Sequence, residues 1–93
     1  MSVQVVLPGV LADLAGGARQ LDLDLPYGTL AQLLDELERA HPVLVRRLRD
    51  ETGALRRYVN VYIDGIDVRG QSGLASAVGE DAVVRVLPST AGG

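Results

Sequence analysis

The spacing of apolar and polar residues changes period several times along this chain, and each change marks an element. Val3–Leu7 reads VQVVL. Period two puts Val3, Val5 and Leu7 on one face with Val6 outward, and Pro8-Gly9 closes the run. Arg19–Leu25 reads RQLDLDL, with Leu21, Leu23 and Leu25 on one side and Gln20, Asp22 and Asp24 on the other. That alternation predicts a half-buried strand. Ala15-Gly16-Gly17-Ala18 lies between the two runs and predicts a hairpin turn, hence an antiparallel pair. The period then lengthens. Leu30, Leu33, Leu34 and Leu37 form one stripe of a helix over Leu30–His41, while Gln32, Asp35, Glu36, Glu38 and Arg39 fill the other side. Thr29 is placed to cap this helix, with Gln32 as the capping-box partner. Pro42 ends or re-aims it. A second short helix, Val43–Arg49, leads into the polar loop Asp50-Glu51-Thr52-Gly53.

Period two returns in Tyr58–Ile63, which reads YVNVYI and stops at the tight-turn pair Asp64-Gly65. Val59, Val61 and Ile63 are expected inward, and Tyr58, Asn60 and Tyr62 outward. Ile66–Val68 predicts a short strand and Leu74–Val78 a single helical turn. Ala82–Leu87 reads AVVRVL, a last strand with Val84 and Val86 inward and Arg85 outward. The tail, Pro88–Gly93, carries no side chain able to anchor it. The leucine stripe of the main helix must bury against one face of a mixed sheet of four to five strands. The first and last strands are expected to meet in the middle of that sheet. Two strands, a crossing helix and two more strands make an α+β fold of the ubiquitin-like β-grasp kind. The expected organisation is one domain over 1–87 and a flexible tail over 88–93.

Composition narrows what such a fold can do. A length of 93 residues supports one core. With three Tyr and no Phe or Trp, that core must be aliphatic. There is no Cys, so no disulfide or thiol nucleophile is available, and the single His41 excludes a multi-histidine metal site. A net charge of −3 argues against a general nucleic-acid binder. No basic apolar leader and no run of eighteen apolar residues are present, so a cytoplasmic location without a membrane span is expected. All nine basic residues are Arg. Without Lys the chain offers no lysine amine for an isopeptide bond or a Schiff base.

The element order together with the terminal Ala91-Gly92-Gly93 resembles the bacterial sulfur-carrier proteins of the MoaD/ThiS type. The stretches RYVNVYIDGIDVR, GLASAV and VVRVLPSTAGG look most like the carrier type used in a cysteine pathway (CysO). The resemblance spans the whole chain and is most specific from Arg57 to Gly93. One departure is the turn before the last strand, where the family's Gly-Asp is replaced by Gly79-Glu80-Asp81-Ala82.

The resemblance implies a carrier rather than an enzyme. An E1-like enzyme using ATP and Mg²⁺ would adenylate the Gly93 carboxylate, and a sulfur donor would displace AMP to leave a thiocarboxylate. The sulfur would pass to a cysteine-synthase-like PLP enzyme or to a thiosugar or thiazole synthase-like enzyme. In the cysteine pathway a JAMM-type metalloprotease would release the product. No cofactor is expected on the chain itself, and no nucleic acid or membrane partner. Two alternatives stand beside this: a ubiquitin-like modifier conjugated through Gly93, and the small subunit of a molybdopterin-synthase-like enzyme.

The bare tail suits that chemistry. A C-terminal carboxylate has a pKa of about 3.3–3.7 and is ionised at neutral pH. Side chains at Gly92 or Gly93 would widen a segment that must enter a narrow pocket. Pro88, Ser89, Thr90 and Ala91 would serve as spacer, and six residues at about 3.3 Å each reach about 20 Å. Tyr58, Asn60, Tyr62, Val6 and Arg85 are the candidate docking residues, as outward groups of three strands. Arg46, Arg47, Arg49, Arg56 and Arg57 form a basic cluster, read as a solvated face balanced by Asp50 and Glu51. His41 reads as a helix-end histidine complementing the dipole.

Overall fold

The computed structural model describes residues 2–24 and 28–88. Leu25 of the expected second strand, and Ser89–Gly93, lie outside the described residues. Strands β1 (Val3–Val6) and β2 (Gln20–Leu23) pair antiparallel, as their alternation predicted. The connection is not a tight hairpin. Helix α1 (Gly9–Ala12) and a 3-10 turn (Asp13–Ala15) fill it. Leu11, Ala12 and Ala15 bury there at helical spacing, which the short segment GVLADLA concealed. Gly16 then reverses the chain as the left-handed C-cap of the turn, at φ 70°. The main-chain bond from Leu7 N to Arg19 O, 2.8 Å, closes the base of the excursion.

Strand β3 (Gly28–Thr29) runs into α2 (Leu30–Ala40). The expected capping box is present. Gln32 N donates to Thr29 Oγ1 at 3.3 Å, and Thr29 N donates to Gln32 Oε1 at 2.8 Å. Glycine at 28 keeps this box open, since a Cβ there would stand 2.6 Å from Gln32 Oε1. His41 joins α2 to α3 (Pro42–Leu48), its N–H on Leu37 O. Proline at the first position of α3 leaves no donor unsatisfied.

Strand β4 (Val59–Ile63) turns through Asp64-Gly65, both at positive φ, into β5 (Ile66–Asp67). Val68–Gly70 is a 3-10 turn rather than a continuation of the strand. A second correction concerns Leu74–Val78. The helical turn covers Gly73–Ala75, and Ala77–Val78 is strand β6, paired with β3. Strand β7 (Val83–Pro88) ends the described chain. It includes Pro88, which faces Val59. The boundary drawn at 87/88 therefore falls inside the strand, where a terminal proline costs no ladder donor. Before β7, Asp81 holds the left-handed position (φ 61°) of the turn closed by Ala82 N on Gly79 O. A short polar side chain tolerates that conformation, so the shifted glycine needs no larger rearrangement.

The main sheet runs β2-β1-β7-β4-β5, with β1 and β7 parallel at its centre. The expectation that the first and last strands meet in mid-sheet holds. Val3, Val5, Val59, Val61, Val84 and Val86 bury on one face against Leu30, Leu33, Leu34 and Leu37 of α2 and Leu44, Val45 and Leu48 of α3. Among the described residues no helix is long and apolar enough to cross a membrane.

Candidate functional site

Among the described residues the helices cover one face of the sheet and leave the other open. Register fixes who meets there. Val6 lies opposite Arg85, and Arg85 lies opposite Tyr62. Directly opposed residues share a face. Val6, Arg85 and Tyr62 therefore form one row across β1, β7 and β4. Asn60 and Leu87 form the next row. Tyr58, 52% exposed, precedes β4. The register thus brings four of the five candidate docking residues, Val6, Asn60, Tyr62 and Arg85, to one face, with Tyr58 just before β4.

One apolar member escaped the sequence reading. Leu87, 38% exposed, lies on the same face, opposite Asn60. Leu87 joins Tyr62, Val83, Arg85, Asp64 and Gly65 around a shallow depression. The alternation that turned Arg85 outward also turned Leu87 outward, so the signal was there. Ile66, 53% exposed, is opposite Ile63 and lines a separate depression with Val68 and Ala75. Asn60 is not a free contact group. Its Oδ1 accepts from Arg69 Nη1 at 2.9 Å.

The basic cluster separates into two uses. Arg49 Nη2 bridges Asp35 at 2.9 Å and Glu38 at 3.1 Å, tying α2 to the end of α3. Arg56 Nε donates to Arg46 O. Arg46, Arg47 and Arg57 remain exposed. The expected balance by Asp50 and Glu51 is corrected for Arg49, which finds its carboxylates on α2, while the Arg56 charge does act on Asp50. Asp50 also organises its own loop, accepting from the Thr52 hydroxyl at 2.6 Å and from Thr52 N and Ala54 N. The Thr52 hydroxyl, followed by these backbone donors, holds the Asp50 carboxyl below its ordinary value of 3.8.

The open face adjoins the end of β7, the point from which residues 89–93 continue. Gly93, Gly92, Ala91, Thr90 and Ser89 themselves lie outside the described residues. A mixed sheet with the last strand at its centre, one long amphipathic helix on one face and a bare opposite face defines a ubiquitin-like β-grasp protein. The chain belongs to the ThiS family, whose model matches residues 5–93. It is 36% identical to the sulfur carrier protein CysO of Mycobacterium tuberculosis over 95 residues, spanning all of both chains. The crystal structure of that CysO matches with a TM-score of 0.85 at 32% identity, over 95% of this chain and 99% of the other. A chain of the BexX/CysO complex from Amycolatopsis orientalis matches with a TM-score of 0.81 at 30% identity, over 98% and 99% of the two chains. Small archaeal modifier protein 1 of Haloferax volcanii matches with a TM-score of 0.81 at 27% identity, over 96% and 98%.

Proposed function

We propose that this chain is a cytoplasmic sulfur carrier that works through the carboxylate of Gly93. The observation that carries this reading is the family match running through residue 93, on a fold whose central strand leads out of the sheet into that segment. A carboxylate oxygen of Gly93 attacks the α-phosphorus of ATP in an E1-like partner that supplies Mg²⁺. The new C–O–P linkage forms and pyrophosphate leaves. A sulfur donor at the level of hydrosulfide then adds to the acyl carbon and expels AMP, leaving the thiocarboxylate. Splitting one hard acyl substitution into two easier ones is the gain from activation. The chain contributes the acyl group and the docking surface, and the partners perform the chemistry.

The open sheet face, with Val6, Tyr62, Arg85 and Leu87, serves as the docking surface. Its mixture of an aromatic, an arginine and aliphatic groups matches the usual composition of interface centres. The likeness to a CysO crystallised in complex with BexX supports delivery to a docked acceptor enzyme. Cysteine-synthase-like and thiosugar-synthase-like acceptors are the two candidates. The likeness to small archaeal modifier protein 1 favours one second reading, conjugation of Gly93 to amines of other proteins.

Intact mass of the chain after incubation with ATP, an E1-like enzyme and sulfide tests the proposal. Exchange of one oxygen for one sulfur, mapped to the peptide ending at Gly93, is the expected result. An unchanged mass together with larger covalent adducts in cell extract would instead establish the modifier reading.

A further inference from the structure

Strand β7 does not have the same neighbours along its length. Its parallel partner β1 accompanies it only as far as the Val6–Arg85 pair. Beyond that point Val86, Leu87 and Pro88 are held by β4 alone, opposite Val61, Asn60 and Val59. The direction in which the chain leaves the sheet therefore depends on the first residues of β4.

Among the described residues that end of β4 has no strand on its other side. β5 pairs only with Tyr62 and Ile63. Asp64 N donates to Val83 O, so ladder alternation makes Tyr62–Arg85 and Asn60–Leu87 the bonded pairs. Val59 then points its main-chain groups away from β7. Its carbonyl accepts from Arg69 Nη1 at 2.6 Å, and its N–H donates to Arg56 O. Arg69 Nη2 also donates to Arg56 O at 2.8 Å, and Nη1 reaches Asn60 Oδ1. One guanidinium thus stands where a neighbouring strand would otherwise be. Its own position is fixed by the 3-10 turn, where Arg69 N donates to Asp67 Oδ1 at 2.9 Å. Among the described residues Arg69 makes no salt bridge and directs its donors to neutral acceptors. The planar fork suits several acceptors at once, as an ammonium does not.

We propose that Arg69 is a positioning residue for Gly93: it holds the start of β4, and through β4 the point at which the C-terminal segment leaves the sheet. The proposal rests on the carrier reading above. Five residues follow Pro88, an extended reach of about 17 Å. Removing the guanidinium lets the end of β7 drift, and with it the point from which that segment reaches into a partner. Misplacement of a reacting atom by about 1 Å can cost about 100-fold in rate. A partner's channel would absorb part of that drift, so a loss of about 10-fold is expected on removing the guanidinium.

The test compares wild type, Arg69→Met and Arg69→Lys in the full chain by two readouts. Amide hydrogen exchange followed by NMR reports the sheet: Leu87 is expected to exchange at least 10-fold faster in Arg69→Met, with Val5 and Leu34 unchanged. Carrier-dependent ATP–pyrophosphate exchange by an E1-like enzyme reports activation: kcat is expected to fall about 10-fold, with the Kd of the carrier for the enzyme unchanged when ATP is omitted. Arg69→Lys should lie between the two in both readouts. Leu87 exchange at the wild-type rate in both variants overturns the proposal. So does a faster Leu87 with unaltered kcat, or a uniform acceleration of Val5, Leu34 and Leu87 in both variants, which would make Arg69 a residue of general stability. If wild type itself shows no activation, the carrier reading fails, and the Leu87 comparison still decides the role of Arg69.

Discussion

The two faces of the sheet use the same strands for different ends. On the inner face Val84 and Val86 are buried, as are Val59 and Val61 beside them. On the outer face Arg85 and Leu87 remain exposed, beside half-buried Asn60 and Tyr62. One step along the backbone separates a residue that holds the fold from one that a partner can touch. The inner face needs only apolar volume of the right shape. The outer face keeps a mixed set of groups that contribute little to stability while uncovered. Stability and recognition are thereby separable in this small domain, and slipping a strand by one residue would exchange the two roles.

The sharpest division lies at the chain end. Deleting Gly93, or placing Trp at Gly92, is expected to abolish thiocarboxylate formation with no change in melting temperature, measured by intact mass and circular dichroism. A lowered Tm in the deletion would break the comparison, because the end would then be part of the fold. On the inner side, Leu37→Ala removes a side chain with no exposure from the centre of the core. A loss of about 2–5 kcal/mol is expected, lowering Tm by about 10 °C or more. Below that Tm, activation should persist.

Leu87→Asp is the matched change on the outer face. Stability should move by about 0.5 kcal/mol or less, while affinity for the activating enzyme falls by about 10-fold, the effect of losing a central interface contact of about 1.4 kcal/mol. Equal loss of stability and affinity would show that the two faces are not separable. Thr29→Ala sets the scale for a change outside both faces, with a cost of about 1 kcal/mol from the lost cap, read from chemical denaturation.

The smallest effect belongs to Asp50. Its folded-state pKa lies below 3.8, so its contribution to stability is complete above that value. The contribution is lost as pH falls through the lower folded value. Wild type should therefore exceed Asp50→Asn slightly in Tm at pH 6, with the gap closing below about pH 3.8.

Much of this arrangement was legible beforehand wherever a period extended over several residues. The α2 stripe, the Thr29–Gln32 cap and the alternation of β4 and β7 all read directly. The candidate docking residues followed from that alternation, and the four within strands share a face. Short segments were harder. Gly9–Ala15 is too brief for a helical period to separate from a loop, so the two glycines after it looked like a hairpin. Ala77–Val78 pairs with Gly28–Thr29, and no two-residue strand announces its partner. Arg49 was read with its sequence neighbours Asp50 and Glu51, but its carboxylates come from Asp35 and Glu38 on the preceding helix.

The sequence by itself determined which residues of its long periodic segments face the core, where α2 begins, and that the family's Gly-Gly motif stands at 92–93. Those features depend on neighbours within about one or two helical turns, and side-chain periodicity records them. Only the tertiary structure decided that β1 lies parallel to β7, that β1 stops accompanying it at Arg85, and that Arg69 holds the free start of β4. Each is a pairing between segments that the chain brings together only by folding. A guanidinium directed at backbone carbonyls leaves no mark in the pattern of its own segment, because every residue type presents the same carbonyl.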